Sequence, residues 1–457
     1  MSLLSGGRVH FIGIGGAGMS AIAKVLVERG MPVSGSDLKR SRAVTALSAM
    51  GAPVHIGHEA SQVEGAEVVV VSSAIRESNP ELAAARAAGM KILSRGEALA
   101  ALLSDRRSII VAGTHGKTST TSMIVSVLRA AHLDPTYLVG GGLNDSGTNA
   151  RSGSGDLAVA EADESDGSFL LLAPTVSVVT NVEEDHVDHW ASLDELRAAF
   201  RTFLGATDPQ GASVVPVDDA TLLEDARSTG VRVITFGDEG DVSAAEIGLR
   251  RGGSSFLLRH DGHDVAVELR VPGRHNVSNA LAAAAACVEV GVDLGTVAAG
   301  LRSYSGVERR FHIKGSVEGV TVIDDYAHHP TEVRATLAAA RSGGWDRVVA
   351  VFQPHRYSRT AAFAAAFGAA FGDADRVVVT DVYGAGEEPV PGVSGKMISD
   401  AVCAALPGRP VAYLPHRDEL VSYLGTSLRR GDALLTMGAG DVTALGDELL
   451  ARWGTGA

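Results

Sequence analysis

Ser108-Ile-Ile-Val-Ala-Gly113-Thr-His-Gly116-Lys117-Thr118-Ser119 is the stretch on which the reading of this chain turns. A β-branched apolar run ends in a glycine turn, and Lys-Thr-Ser then opens a long apolar-periodic segment. The pattern predicts strand, loop and helix in that order. Backbone N–H groups of a glycine loop at a helix N-terminus cradle phosphate oxygens. Lys117 can reach the β- and γ-phosphates of a nucleotide, and the Thr118 hydroxyl can sit on a magnesium ion. The strict pattern needs a glycine at position 111, where Val111 stands, so this is a shortened form of the loop. By itself the stretch predicts that nucleotide phosphate is bound, and no more.

Downstream, the apolar run Asp156-Leu-Ala-Val-Ala160 ends in Glu161, Asp163, Glu164 and Asp166. Four carboxylates at a buried strand end suit a divalent cation beside phosphates, because hard cations take oxygen ligands. Val176-Ser-Val-Val-Thr180-Asn181 repeats the arrangement and ends in Asp185-His186-Val-Asp188. His186 and Asp188 are candidates for a second metal or for orienting a phosphate. From Gly211 to Pro272, alternating segments such as Val231–Phe236, Ser255–Arg259 and Val265–Val271 are split by glycine turns. They read as a small antiparallel sheet appended to the domain. Gly273-Arg-His275-Asn276-Val-Ser-Asn279 then opens an alanine-rich helix. Asn276 and Asn279 share a face there, which suits either a base edge or a helix cap.

Upstream, the strand Val9–Gly13 feeds Gly13-Ile-Gly15-Gly16-Ala-Gly18-Met19, then a helix over Ala21–Glu28, then the strand Val33–Asp37. This is the G-x-G-x-x-G fingerprint with an acid about 20 residues on. It places a diphosphate on a helix N-terminus, with Asp37 accepting hydrogen bonds from a sugar or base. A dinucleotide, as in an NAD-dependent oxidoreductase, and a nucleotide sugar both remain open here. The run Val68-Val-Val-Val-Ser72 is a further buried strand ending in hydroxyls. Strands alternating with helices predict a parallel sheet.

Tyr304–His312 breaks the pattern and reads as a hinge near Gly306–Phe311. Beyond it, strands at Val320–Asp324, Arg347–Phe352, Arg376–Thr380 and Ala433–Thr436 each end in polar loops. Ligands sit at such carboxyl ends in open α/β sheets. The fold class expected is α/β in three domains: Rossmann-like (1–104), P-loop-type with the small sheet (105–308) and Rossmann-like again (309–457).

The bulk numbers narrow the partners. The net charge is −14, with no basic blocks, which argues against nucleic acid. No run approaches the roughly 18 apolar residues of a membrane span, and Met1–Arg8 lacks the layout of a signal peptide. Two isolated cysteines, Cys287 and Cys403, give neither a disulfide framework nor metal spacing. A cytoplasmic protein, monomer or homodimer, is expected.

These motifs resemble those of the Mur ligases, the ATP-dependent amide-forming enzymes of peptidoglycan precursor synthesis. The resemblance spans His10–Met19, Gly113–Thr118, Glu161–Asp166, Thr180-Asn181 with Asp185-His186, and His275-Asn276 with Asn279. It continues through Arg309-Arg-Phe, Asp325-Tyr-Ala-His-His-Pro-Thr331 and Gln353-Pro-His-Arg-Tyr-Ser-Arg359. It implies UDP-binding, ATP-binding and amino-acid-binding domains. It is most similar to the branch that adds L-alanine to UDP-N-acetylmuramate through an acyl phosphate. The resemblance implies that Gly13, Gly15, Gly16, Gly18, Met19, Asp37 and Ser72 hold the UDP-sugar. Gly113, Thr114, His115, Gly116, Lys117, Thr118 and Ser119 would hold ATP, with His275, Asn276 and Asn279 at the adenine. Thr118, Glu161 and His186 would hold Mg2+, making Lys117, Glu161 and His186 the catalytic set. Tyr326, His328, Arg356 and Arg359 would line the amino-acid site, the arginines suiting a carboxylate. Ala327 stands where that branch usually has glycine, as in the related murein-peptide recycling ligases. No lysine lies between His186 and Phe203, so the carbamylated lysine of several family members is not expected.

Overall fold

The structure, a computed structural model, describes residues 7–186 and 189–454. Asp188, a metal candidate above, and the N-terminal Met1–Gly6 lie outside the described residues.

Three sheets carry the chain. The first is all parallel, in the order Val54–Ile56, Val33–Asp37, Val9–Ile12, Val68–Val71, Lys91–Ser94. Its first helix is Ala17–Glu28 rather than the expected Ala21–Glu28, because the glycine motif itself forms the opening turn, capped by Gly16.

The second sheet has ten strands, with Arg107–Ala112 between Val176–Val179 and Leu157–Glu161. Arg107–Ala112 is buried from Ser108 onward, as a central parallel strand with both faces covered must be. Its register decides the site. Ala112 pairs with Val179 and Val111 with Glu161, so three strand ends stop at one edge.

The small antiparallel sheet is corrected in two ways. Arg232–Phe236 pairs parallel with Ala212–Pro216, with the helix Ala220–Ser228 between them, and so belongs to the main sheet. The antiparallel part is Val242–Arg250, Gly253–His260 and His263–Leu269, continuous with the main sheet through Phe236 and Val242. Alternation alone does not separate parallel from antiparallel strands. In Val242–Arg250 the period is also broken, where the register shifts between Ala245 and Gly248.

The third sheet runs His312–Val317, Val320–Asp325, Asp432–Met437, Arg347–Phe352, Arg376–Val379, Val411–Tyr413. Its first strand was not legible in the sequence. It is an antiparallel edge strand, half exposed, with no apolar run to mark it.

Packing ties these units unequally. One core cluster contains Val9, Phe11 and Met19 together with Phe169, Phe200 and Phe203, so the first two units share apolar packing. The clusters of the third unit contain only its own residues. It meets the second through polar contacts: Thr331 Oγ1 donates to Glu183 Oε2 at 2.6 Å, and Arg359 Nη2 to Asp185 Oδ1 at 2.6 Å. The connector holds three positive φ angles, at Gly306 (93°), Arg309 (62°) and Phe311 (45°). The last two are uncommon for residues with a Cβ, and hold only because neighbours fix them. Phe311 N–H donates to Asp325 Oδ2 at 2.8 Å, and Arg309 Nη2 donates to the Gly438 carbonyl at 2.6 Å. No described helix is long and apolar enough to cross a membrane.

The third unit is therefore the least firmly packed against its neighbours, and Asp185–Arg359 is its buried hold on the second. Asp185→Asn leaves the Arg359 charge buried without its partner, a loss of about 3 kcal/mol. The expected outcome is a larger radius of gyration by small-angle scattering; an unchanged radius and melting temperature would count against this interface.

Candidate active site

Gly113 sits at φ 127°, where a Cβ would lie 2.1 Å from Thr180 Oγ1. Gly116 sits at φ 81° as the N-cap of the helix Lys117–Ala130, where a Cβ would lie 2.5 Å from Asn279 Oδ1. Both positions require glycine. The loop between them is braced by the strand end at Thr180-Asn181. Asn181 Oδ1 accepts the His115 N–H at 2.9 Å, Asn181 O accepts the Thr114 N–H at 3.0 Å, and Thr180 Oγ1 donates to the His115 carbonyl at 2.5 Å. Thr180 and Asn181 were quoted in the family pattern but not placed among the site residues.

The four carboxylates separate. Glu161 accepts Thr118 Oγ1 at 2.9 Å and the Gly140 N–H at 2.8 Å. Glu164, fully buried, accepts Lys117 Nζ at 2.8 and 2.9 Å. Asp163 and Asp166 turn the other way, to Arg95 of the first unit at 3.4 and 2.8 Å. The expected single cation cluster is thus two inward groups and two that bridge domains. Glu161 and Glu164 are three apart and leave the strand toward the loop; sequence alone did not give that direction.

Lys117 Nζ also donates to the carbonyls of Gly113 (2.5 Å) and Thr114 (3.2 Å), so its ammonium lies inside the glycine cradle. Burial works against its charge, but Glu164, Asp163 and Glu161 together offset it and the pKa rises. Burial pushes Glu161 up, against the pull of Lys117. His186 Nε2 lies 3.5 Å from Glu164 Oε1 and 3.8 Å from Asp185 Oδ2. Thr118 with Glu161 and His186 with Glu164 form two separate pairs beside the phosphate cradle, and their oxygens are of the kind magnesium takes. Among the described residues, the ligand atoms that converge within 4.8 Å are those of His115, Glu183 and His329.

Beside the loop a cavity of ≈ 210 Å³ is lined by His275, Asn276, Asn279, Phe236, Val271 and Tyr304, with Thr331 and Glu332 from the third unit. Burial lowers His275 to about 4, so it is a neutral imidazole, able to pair with a base edge. The choice between cap and base edge is resolved against the cap. Gly273 is the N-cap, and Asn276 Nδ2 donates back to the Pro272 carbonyl at 2.8 Å. Asn279 Nδ2 reaches Asn276 Oδ1 at 3.3 Å. Ser119 lines the same cavity.

At the first glycine loop, Gly13 sits at φ 83° with Ser72 against it, 3.2 Å from where a Cβ would be. Two expectations change here. Asp37 Oδ2 accepts the Gly15 N–H at 2.8 Å and Oδ1 the Lys39 N–H at 3.1 Å, so Asp37 braces the loop instead of waiting for a ribose. The Met19 side chain, 1% exposed, lies in the core and not on the loop. Arg95, absent from the expected set, stacks against Gly18, 3.0 Å from a built Cβ.

In the third unit, Tyr326 lies under the Arg309 and Arg310 guanidinium groups at 4.8 and 5.2 Å, with the His328 ring edge-on at 5.2 Å. Burial lowers His328 to about 3, so it is neutral. Arg356 takes φ 64° at the N-cap of Tyr357–Ala370 and donates its N–H to the Tyr383 carbonyl at 2.8 Å. Arg359 is a correction. Its guanidinium, 9% exposed, is bound to Asp185 and not presented to a ligand carboxylate.

Family models place the chain. The Mur ligase middle domain matches residues 111–287, the Mur ligase family catalytic domain 8–107, and the Mur ligase glutamate ligase domain 309–440. The UDP-N-acetylmuramate–L-alanine ligase of Saccharopolyspora erythraea is 50% identical, over 97% of this chain and 93% of its own. That of Rubrobacter xylanophilus is 50% identical, over 97% and 100%. Among solved structures, the UDP-N-acetylmuramate–alanine ligase of Thermotoga maritima superposes with a TM-score of 0.83 at 31% identity, covering 99% of this chain and 100% of its own. A murein peptide ligase of Psychrobacter arcticus gives 0.72 at 26%, with coverage of 99% and 100%. With a phosphate loop braced by two strand ends, and with relatives of this identity along nearly its whole length, the chain belongs to the Mur ligase family.

Proposed function

We propose that this protein joins L-alanine to the lactyl carboxylate of UDP-N-acetylmuramate, consuming ATP and releasing ADP and phosphate, in peptidoglycan precursor synthesis. One observation carries the chemistry: the buried Lys117 ammonium in its glycine cradle, with Glu164 and Glu161 on the side facing the other units. Residues 1–104 take the UDP-sugar, 105–308 ATP, and 309–457 the amino acid.

A carboxylate does not accept an amine in water, because oxide is too poor a leaving group. The muramoyl carboxylate oxygen attacks the γ-phosphorus, ADP leaves, and an acyl phosphate forms. The alanine nitrogen attacks the acyl carbon, the carbon–oxygen bond breaks, phosphate leaves, and the nitrogen gives up a proton. Lys117 leaves Glu164 for the phosphoryl oxygens and stabilises their charge in the transition state. Thr118, Glu161 and His186 would hold Mg2+, which when bound neutralises phosphate charge. His275 and Asn279 face the base, and the Gly113–Ser119 backbone holds the phosphates. The α-helix start at Gly16 receives the UDP diphosphate. Tyr326, His328 and Arg356 stand at the amino-acid pocket. No side chain bonds covalently to substrate; positioning and charge carry the rate.

The NAD-dependent oxidoreductase reading leaves the Gly113–Ser119 loop and its buried Lys117 unexplained. The murein-peptide recycling ligase differs only in the amine substrate. Phosphate release that requires UDP-N-acetylmuramate and free L-alanine together supports the proposal. Release with an L-alanyl peptide and not with L-alanine would favour the recycling ligase.

Two variants test the loop. Lys117→Ala should lower amide formation by at least about 10³-fold while UDP-sugar binding, read by calorimetry, survives; retained activity would contradict the mechanism. Gly113→Ala must push against Thr180 at φ 127°. It should abolish ATP binding by titration, and wild-type affinity in a folded variant would contradict the cradle.

A further inference from the structure

One carboxylate that lines the cavity beside the phosphate loop also reaches well beyond it. Glu332 lies in the first turn of the helix Pro330–Ser342 of the third unit. Its Oε1 is 3.4 Å from His115 Nδ1, on the phosphate loop, and 3.6 Å from Arg310 Nη1, in the connector. Its Oε2 is 3.4 Å from His328 Nδ1, at the amino-acid pocket. The same oxygen accepts the N–H groups of His328 at 3.0 Å and His329 at 3.3 Å. One side chain thus touches the nucleotide loop, the hinge and the amino-acid pocket.

Capping the helix needs only an acceptor, and a glutamine would serve. The negative charge answers something else. Burial opposes it, yet His328, His115 and Arg310 around Glu332 hold its pKa well below the usual range. Burial would likewise discharge His115, but Glu183 and Glu332 push it up to about 9. The imidazolium is held between a carboxylate of the second unit and one of the third, with the His329 ring 4.7 Å away as the remaining titratable neighbour. The Glu332–His115 contact joins the third unit to the phosphate loop of the second.

We propose that Glu332 is a positioning residue that couples the phosphate loop to the amino-acid pocket, so that ATP and L-alanine bind cooperatively. The inference rests on the ligase reading above. A nucleotide that fixes the loop fixes His115, which favours the closed arrangement through Glu332; Glu332 in turn holds the His328 backbone and ring. Such coupling is reciprocal, so L-alanine tightens ATP by the same factor.

Glu332→Gln keeps the shape and an oxygen for both N–H donors but removes the charge. The test measures L-alanine affinity with and without a non-hydrolysable ATP analogue, UDP-N-acetylmuramate being present throughout. In the wild type the analogue should tighten L-alanine about tenfold, and in Glu332→Gln that factor should fall to about one. UDP-sugar affinity should not change. His115→Asn should remove the same factor, and the double variant should add nothing further. In the wild type the factor should fade as pH rises through about 9 and His115 loses its proton, whereas in Glu332→Gln it should stay near one at every pH. A Glu332→Gln enzyme with the full wild-type factor overturns the proposal, as does equal weakening of all three ligands, which marks a merely structural role. Failure of the wild type to form the amide would overturn the ligase reading itself. An amide-forming wild type with no coupling between ATP and L-alanine would overturn this inference alone.

Discussion

Three parallel strands stop in register at one edge of the central sheet, and the rest of the site depends on that. Pairing of Ala112 with Val179 and of Val111 with Glu161 is fixed by continuous apolar burial on both faces. A one-residue slip would turn every side chain to the wrong face. Because the register holds, Gly113 begins its turn where Thr180 and Asn181 can brace it and where Glu161 can reach Thr118. The phosphate cradle is thus a property of the sheet as much as of the loop.

The remaining architecture is a difference in adhesion. The first unit shares an apolar core with the second and carries Arg95 across to Asp163 and Asp166. The third shares no core cluster with the second and is held largely by polar contacts: Asp185 with Arg359, Glu183 with Thr331, His115 with Glu332, and Arg251 with the Gly343 carbonyl and the Trp345 ring. Polar contacts of this sort are lost and remade more readily than a packed core. A ligase that must admit three substrates and then exclude water needs such a unit.

Most of the fold was legible in the sequence. Buried parallel strands announce themselves as apolar runs, and the glycine loops give both helix starts. What escaped was whatever lacks an apolar signature or depends on partners far along the chain. The edge strand His312–Val317 is polar because it is an edge. The parallel pairing of Arg232–Phe236 depends on its neighbour, not on its own alternation. In the site, Lys117, Thr118 and Glu161 were placed by pattern. The roles of Asp37 and Arg359 were not, because each is taken by a partner that only the folded chain supplies, Gly15 and Asp185. Arg95 and Glu332 gave no signal at all: each is an ordinary charged residue of a helix until the domains meet.

The central claim is that the muramoyl carboxylate oxygen takes the γ-phosphoryl group before the amine arrives. Its direct test uses UDP-N-acetylmuramate labelled with oxygen-18 in both carboxylate oxygens, ATP and L-alanine, with the released phosphate read by phosphorus NMR. The account predicts one labelled oxygen in each phosphate, shown by an isotope-shifted signal, and the other in the amide carbonyl. Phosphate with no label, formed alongside labelled amide, would contradict it.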